Sequence, residues 1–191
     1  MSVIGALNTW AFHAVLGVAS MPLNVIMQYI GESFLVILPI IALYMYFRKD
    51  KDVFSFVAAT VIFFIISDAI KMIVREPRPC SLAELSWINH VGCEASFSFP
   101  SNHAAVLTGL YAFIGKYKYI RIAYIAWLLL VLFGRVYLGV HYLTDVIAGV
   151  LLSVFLAYFV YRYRNRINSI LLGIFCKVLK PLCHREWHGG S

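Results

Sequence analysis

Long apolar runs recur along the chain, and they restrict its fold more than any other feature. Residues 34–47 read FLVILPIIALYMYF, without one charged side chain. Residues 53–67 (VFSFVAATVIFFIIS), 122–134 (IAYIAWLLLVLFG) and 146–161 (VIAGVLLSVFLAYFVY) behave the same way. A helix that crosses a bilayer needs about 20 predominantly apolar residues. Composition agrees: 62% of the 191 residues are hydrophobic and 13% are charged, about half the charged fraction of an ordinary soluble domain. The expected fold is therefore an all-α integral membrane bundle of five to six transmembrane helices. Five spans are expected at residues 22–47, 53–75, 101–115, 119–139 and 142–161. The third is short for a full crossing. Residues 2–18 carry no Lys or Arg and read as a helix lying at the interface, with a sixth span as the alternative. Residues 167–182 hold a further apolar stretch, also expected at the interface.

The length fits one domain over 1–191: an interfacial helix in 1–21, a membrane core over 22–161 and a basic tail over 162–191. No internal repeat or long linker interrupts it. The N-terminus lacks a basic segment ahead of an apolar core, so no cleaved signal peptide is expected. The formal charge of +7 does not call for nucleic acid, because basic residues in membrane chains mark topology. Arg48, Lys49 and Lys51 follow the first span. Lys116, Lys118 and Arg121 separate the third and fourth. Arg162, Arg164, Arg166, Lys177, Lys180 and Arg185 follow the fifth. Five crossings put all twelve on one side, which the positive-inside rule makes cytoplasmic. The C-terminus is then cytoplasmic as well.

Lys71, Arg75, Arg78 and Arg135 fall at the opposite face, where charge near membrane depth is costly and calls for a function. Ser101, Asn102, His103, His141 and Asp145 fall at the same level. Three separate stretches thus meet at one end of the bundle. Arg offers a planar fork of donors for phosphate oxygens, and Lys adds a point charge. Ser101 stands where a helix N-cap would, beside free N–H groups that favour anions. His141 and Asp145 are four residues apart and share a helical face. The carboxylate can then hold one imidazole nitrogen protonated and leave the other free to attack. His103 can supply a proton to a leaving oxygen.

Those stretches read KMIVREPRP (71–79), PSNH (100–103) and GRVYLGVHYLTD (134–145). Together they resemble the three signatures of the type 2 phosphatidic-acid phosphatase superfamily: Lys-x6-Arg-Pro, Pro-Ser-Gly-His and Ser-Arg-x5-His-x3-Asp. The resemblance implies that His141 forms a phosphohistidine, Asp145 orients it and His103 protonates the leaving group. It implies that Lys71, Arg78, Ser101, Asn102 and Arg135 hold the phosphate. Asn102 replaces the Gly of the second signature and Gly134 the Ser of the third, which bears on affinity and substrate range. Arg and Lys would supply the charge stabilisation, so no metal or other cofactor is expected.

The expectation is a multi-pass cell-membrane enzyme with an extracytoplasmic site, acting on a lipid phosphate among membrane lipids and without a nucleic-acid partner. Small members of the family resemble undecaprenyl-diphosphate phosphatases, so a polyprenyl diphosphate of undecaprenyl or dolichyl type is the first substrate expectation. Phosphatidylglycerophosphate or phosphatidic acid is the alternative. A phosphotransferase of the same fold, and a carrier or flippase, are the rival classes; the latter would place ionisable groups near the bilayer middle. The soluble vanadate-dependent haloperoxidases share the signatures, but this composition excludes them.

Smaller expectations attach to neighbouring residues. Arg75 either snorkels to headgroups or joins the site. Asp68 is a candidate partner of Lys71, and Glu32 either faces the interface or lines the substrate route. Cys80 and Cys93 bracket the outer loop, where a disulfide and two free thiols are both open. Cys176 and Cys183 are expected as cytoplasmic thiols.

Overall fold

The computed structural model describes residues 3–16, 20–81 and 93–178. Its elements are α1 (Val3–Leu16), α2 (Met21–Glu32), α3 (Phe34–Phe47), α4 (Asp52–Val74), a 3-10 turn at Pro79–Ser81, α5 (Asn102–Ile114), α6 (Lys118–Tyr137), α7 (Leu143–Arg162) and α8 (Arg164–Val178). The chain is all-helical among the described residues. Among those residues four stretches are long and apolar enough to cross a membrane: Met21–Phe47, Asp52–Val74, Lys118–Tyr137 and Leu143–Arg162. Their outward faces carry Val36, Ile40, Leu43, Ile65, Leu129, Leu151, Val154 and Phe155, all exposed. Apolar surface on that scale suits lipid, not water.

Each stop has a local cause. The first span is interrupted at Ser33, whose Oγ donates to the Ile30 carbonyl at 2.6 Å and accepts from Trp127 Nε1 at 2.8 Å. Such back-bonding bends a helix, and Pro39 removes one further rung inside α3. Helix α4 ends on Arg75, which adopts φ 55 and ψ 38 while its N–H donates to the Lys71 carbonyl. That left-handed residue turns the chain sharply and delivers Arg78 back over the end of α4.

Helix α5 has 13 residues and reaches only roughly 20 Å. Lipid-exposed backbone at that length would be a poor crossing, but α5 is sheathed in protein. It packs most extensively against α7, then against α4, and Ala104, Ala105, Leu107, Leu110, Phe113 and Ile114 are buried. Close approach of α5 to α7 and α4 depends on two glycines. A Cβ on Gly149 would stand 2.7 Å from both Ala104 Cβ and the Ser101 carbonyl, and one on Gly109 would strike the Phe63 ring.

The two ends of the bundle are chemically distinct. At one end Lys116 Nζ bonds Asp50 Oδ1 at 2.6 Å and Asp52 Oδ2 at 2.8 Å. There Asn168 of α8 accepts from Ser55 N and Oγ and donates to Asp52. The basic residues that sequence grouped on one side begin at this end. At the other end the loops 75–81, 93–101 and 138–142 converge. Cys80 and Cys93 are joined there by a disulfide, which settles the open alternative at that pair. Cys176 is disulfide-bonded too, which corrects the expected free thiol; Cys183 lies outside the described residues. Helix α1 packs on α6 and α7 through buried Ala11 and Val15.

Candidate active site

Helix α7 begins at Leu143, and its first turn fixes the site. Asp145 Oδ2 accepts the Tyr142 N–H at 2.8 Å, a cap that satisfies an orphan helix donor. The same oxygen lies 3.5 Å from His141 Nδ1. The carboxyl is fully buried, so it faces Nδ1 with no water competing. The opposite ring nitrogen, Nε2, lies 3.4 Å from Arg78 Nη1. His141 therefore has a carboxylate 3.5 Å from one nitrogen, which makes no hydrogen bond in this structure, and a guanidinium beside the other. Burial, and then the cations Arg78, Lys71 and Arg135, push its pKa well below the ordinary imidazole range. At neutral pH the ring is uncharged, the form in which a nitrogen lone pair can attack.

Arg78 is buried and fully engaged. Its Nε donates to the Ser96 carbonyl at 2.8 Å and its Nη1 to the Val140 carbonyl at 2.8 Å. Its Nη2 donates to Ser96 Oγ at 2.7 Å and to Glu94 Oε2 at 2.5 Å. Burial draws its pKa down, and Glu94 and Asp145 oppose that shift. Lys71 is also buried and donates to the Phe97 and Pro100 carbonyls at 2.8 and 3.0 Å, with Ser98 at 3.4 Å. It thereby ties the loop ahead of α5 to the end of α4. Among the described residues no ion pair joins Lys71 to Asp68, contrary to the expected pairing. Asp68 instead accepts from Asn102 Nδ2 at 3.5 Å, and Asn102 Oδ1 accepts from Ser67 Oγ at 3.0 Å. The amide that stands where the family has glycine thus braces α5 against α4.

Ser101 caps α5, its Oγ accepting from Ala104 N at 3.4 Å and its N–H donating to the Asp145 carbonyl at 3.1 Å. That bond registers α5 on α7 directly beneath the site. His103 follows, its ring edge-on to Phe34 at 4.9 Å. Its Nε2 is buried without a hydrogen-bond partner, as are Nε and Nη2 of Arg135. A buried cation with unmatched donors is costly unless an anion meets it. Gly31 of α2 leaves room for that guanidinium, since a Cβ there would overlap Arg135 Nη2. Arg75 stays out of the site; its Nε donates to the Met72 carbonyl.

A cavity of about 570 Å³ opens onto these groups. Its polar end is lined by Lys71, Arg78, Glu94, Asn102, His103 and His141, and Glu32 stands at its edge. Its other arm runs between α3 and α4 past Phe34, Leu38, Thr60, Val61 and Phe64. A second apolar groove continues from Phe34, Leu38, Thr60 and Val61 to Pro39 and Val57. The arrangement suits an amphiphile whose anionic head meets His141 and whose tail lies between two membrane helices. Sequence reasoning missed Glu94, Gly31 and the α3–α4 groove. None carries a local signal, because each acts only through a partner distant in sequence.

The sequence profile of the PAP2 superfamily matches residues 52–169. The chain is 27% identical over 124 residues to an undecaprenyl-diphosphatase of Sulfolobus acidocaldarius, covering 63% of this chain and 60% of that protein. It is 37% identical over 87 residues to phosphatidylglycerophosphatase B of Bacillus subtilis, covering 39% of this chain and 43% of that one. The match therefore spans less than two thirds of either relative. Among solved structures, the Bacillus subtilis PAP2-type phosphatidylglycerolphosphate phosphatase superposes with a TM-score of 0.68 at 25% identity, over 87% of this chain and 89% of that one. Aquifex aeolicus LpxE superposes at 0.70 with 23% identity, over 85% and 100%, a likeness of fold.

Proposed function

The chain belongs to the PAP2 superfamily, and from that membership we propose that it is a membrane phosphatase that hydrolyses a polyprenyl diphosphate through His141. The observation that carries the reading is the placement of His141 between Asp145 and Arg78 at the polar end of a cavity whose other arm is apolar. Asp145 keeps the proton on Nδ1, so Nε2 attacks the terminal phosphorus. The bond from phosphorus to the bridging oxygen breaks, and His103 gives that oxygen its proton. Lipid monophosphate departs in that step; water then attacks the phosphohistidine and gives a proton to His103, the bond from phosphorus to Nε2 breaks, and inorganic phosphate and free His141 result. Lys71, Arg78 and Arg135 balance the phosphoryl charge, with Ser101 and Asn102 at the N-terminus of α5. The scheme uses no metal.

The tail of the substrate would leave the site sideways between α3 and α4. The similarity to an undecaprenyl-diphosphatase supports a polyprenyl diphosphate. The similarity to phosphatidylglycerophosphatase B favours phosphatidylglycerophosphate as the second reading. The distribution of basic residues supports an extracytoplasmic site and a cytoplasmic C-terminus. Phosphate release by the full chain in detergent with EDTA tests the scheme. Undecaprenyl diphosphate, phosphatidylglycerophosphate and phosphatidic acid are compared, with His141→Ala as control. Release from undecaprenyl diphosphate that vanishes in the variant is expected. Equal release by the variant would overturn the role of His141, and preference for a glycerophospholipid would overturn the substrate.

A further inference from the structure

A guanidinium has five N–H donors, and those of Arg78 are all directed at protein groups. They meet the Ser96 carbonyl, the Val140 carbonyl, His141 Nε2, Ser96 Oγ and Glu94 Oε2. A phosphate oxygen that reaches Arg78 must therefore replace one of these. Two are main-chain carbonyls fixed by the loops, one is the nucleophile and one is a neutral hydroxyl. Glu94 differs from the rest: it is the anion of the set, and its side chain is 48% exposed. It can swing into water at little solvation cost, and a phosphate that replaces it restores the charge balance.

Glu94 also lines the cavity that holds His141 and His103. Its tether is short. Cys93 is joined to Cys80, and the Cys80 N–H donates to the Gly139 carbonyl at 2.8 Å, two residues from His141. A carboxylate delivered from so near an anchor has a high effective concentration at its partner. We propose that Glu94 competes with the substrate phosphate for Arg78 and so sets the affinity of the site for phosphate oxygens. The proposal rests on Arg78 being a phosphate ligand, and it adds a residue outside the three signatures. Glu94 acts through Arg78 and is a positioning residue.

Removing the competing charge tightens phosphate binding by about threefold to tenfold, the range of a partly exposed, charge-assisted pair. A residue that merely props Arg78 in place would do the opposite. The experiment is orthovanadate titration of the full chain in detergent by calorimetry, with KM and kcat on the lipid that the chain hydrolyses. Glu94→Gln and Glu94→Ala are expected to lower both the vanadate Kd and KM, with kcat within about twofold. Arg78→Gln is expected to raise the Kd. An unchanged or raised Kd in both Glu94 variants, beside a raised Kd in Arg78→Gln, would overturn the competition alone. An unchanged Kd in Arg78→Gln would overturn the premise that Arg78 binds phosphate, and the competition with it.

Discussion

Replacing Gly149 by alanine tests how tightly catalysis depends on the contact between α5 and α7. The added Cβ would stand 2.7 Å from Ala104 Cβ and from the Ser101 carbonyl, and 3.2 Å from Ala105 N. Carbon atoms pack at about 3.5–4.0 Å, so the helices must part by about 1 Å at this level. Two of the three obstacles are backbone atoms, which cannot rotate away. Overpacking of this kind costs about 1–3 kcal/mol. The same shift loosens the Ser101 N–H bond to the Asp145 carbonyl and moves His103 relative to His141. A displacement near 1 Å lowers turnover by about 10- to 100-fold. Gly149→Ala should therefore lower both Tm and kcat. Gly173→Ala is the control, because nothing lies within 4 Å of its Cβ and alanine favours a helix by up to about 1 kcal/mol. Thermal unfolding and phosphate release in detergent measure both variants. A Gly149→Ala protein with unchanged Tm and kcat would show that the two helices have slack at this contact and that catalysis does not depend on it.

Asp145→Asn should keep the fold and lower kcat by about a thousandfold or more, because a neutral amide holds the His141 proton on Nδ1 more weakly than a carboxylate and can turn its NH2 toward the ring instead; a loss under tenfold in single-turnover assays would count against the tautomer role. The acid limb of kcat/KM contributed by His141 should lie below pH 6.5, since burial and the neighbouring cations keep the ring neutral, and Arg78→Gln should move that limb upward. The same depressed pKa makes stability fall as pH drops from about 6.5 through the folded-state value, because the unfolded chain then binds the extra proton; Tm against pH should show that loss and show less of it in His141→Asn. Asn168→Ala removes the acceptor of the buried Ser55 N–H, while Ser55 Oγ keeps the Arg164 carbonyl and Asp52 keeps Lys116; the lost bond costs about 1–3 kcal/mol and should lower Tm with kcat unchanged. A maleimide probe should label Ala95→Cys, at an exposed position of the site-side loop, from outside intact cells and spare Lys118→Cys; the reverse pattern would invert the proposed topology.

The helical membrane class, and the level at which the polar residues gather, were legible from local pattern. Apolar runs of fixed length and the placement of Lys and Arg are local quantities, and a bilayer converts them directly into spans and ends. The nearness of His141 to Asp145 was legible from their spacing, but the shared helical face was not borne out: His141 lies in the loop ahead of α7, which begins at Leu143, and meets Asp145 across the helix N-terminus. Long-range packing supplied the remainder. Helix α5 is too short to cross by hydropathy, yet it runs through the centre because α4 and α7 replace lipid around it. Lys71 and Asn102 read as phosphate ligands from the sequence; that their hydrogen bonds also tie loops and helices together is set by neighbours 26 to 35 residues away. Glu94 meets Arg78 across a disulfide-closed loop, and the slot between α3 and α4 exists only where two side-chain surfaces leave space. Pairings of that range depend on how helices pack against one another, and no local pattern in the chain encodes them.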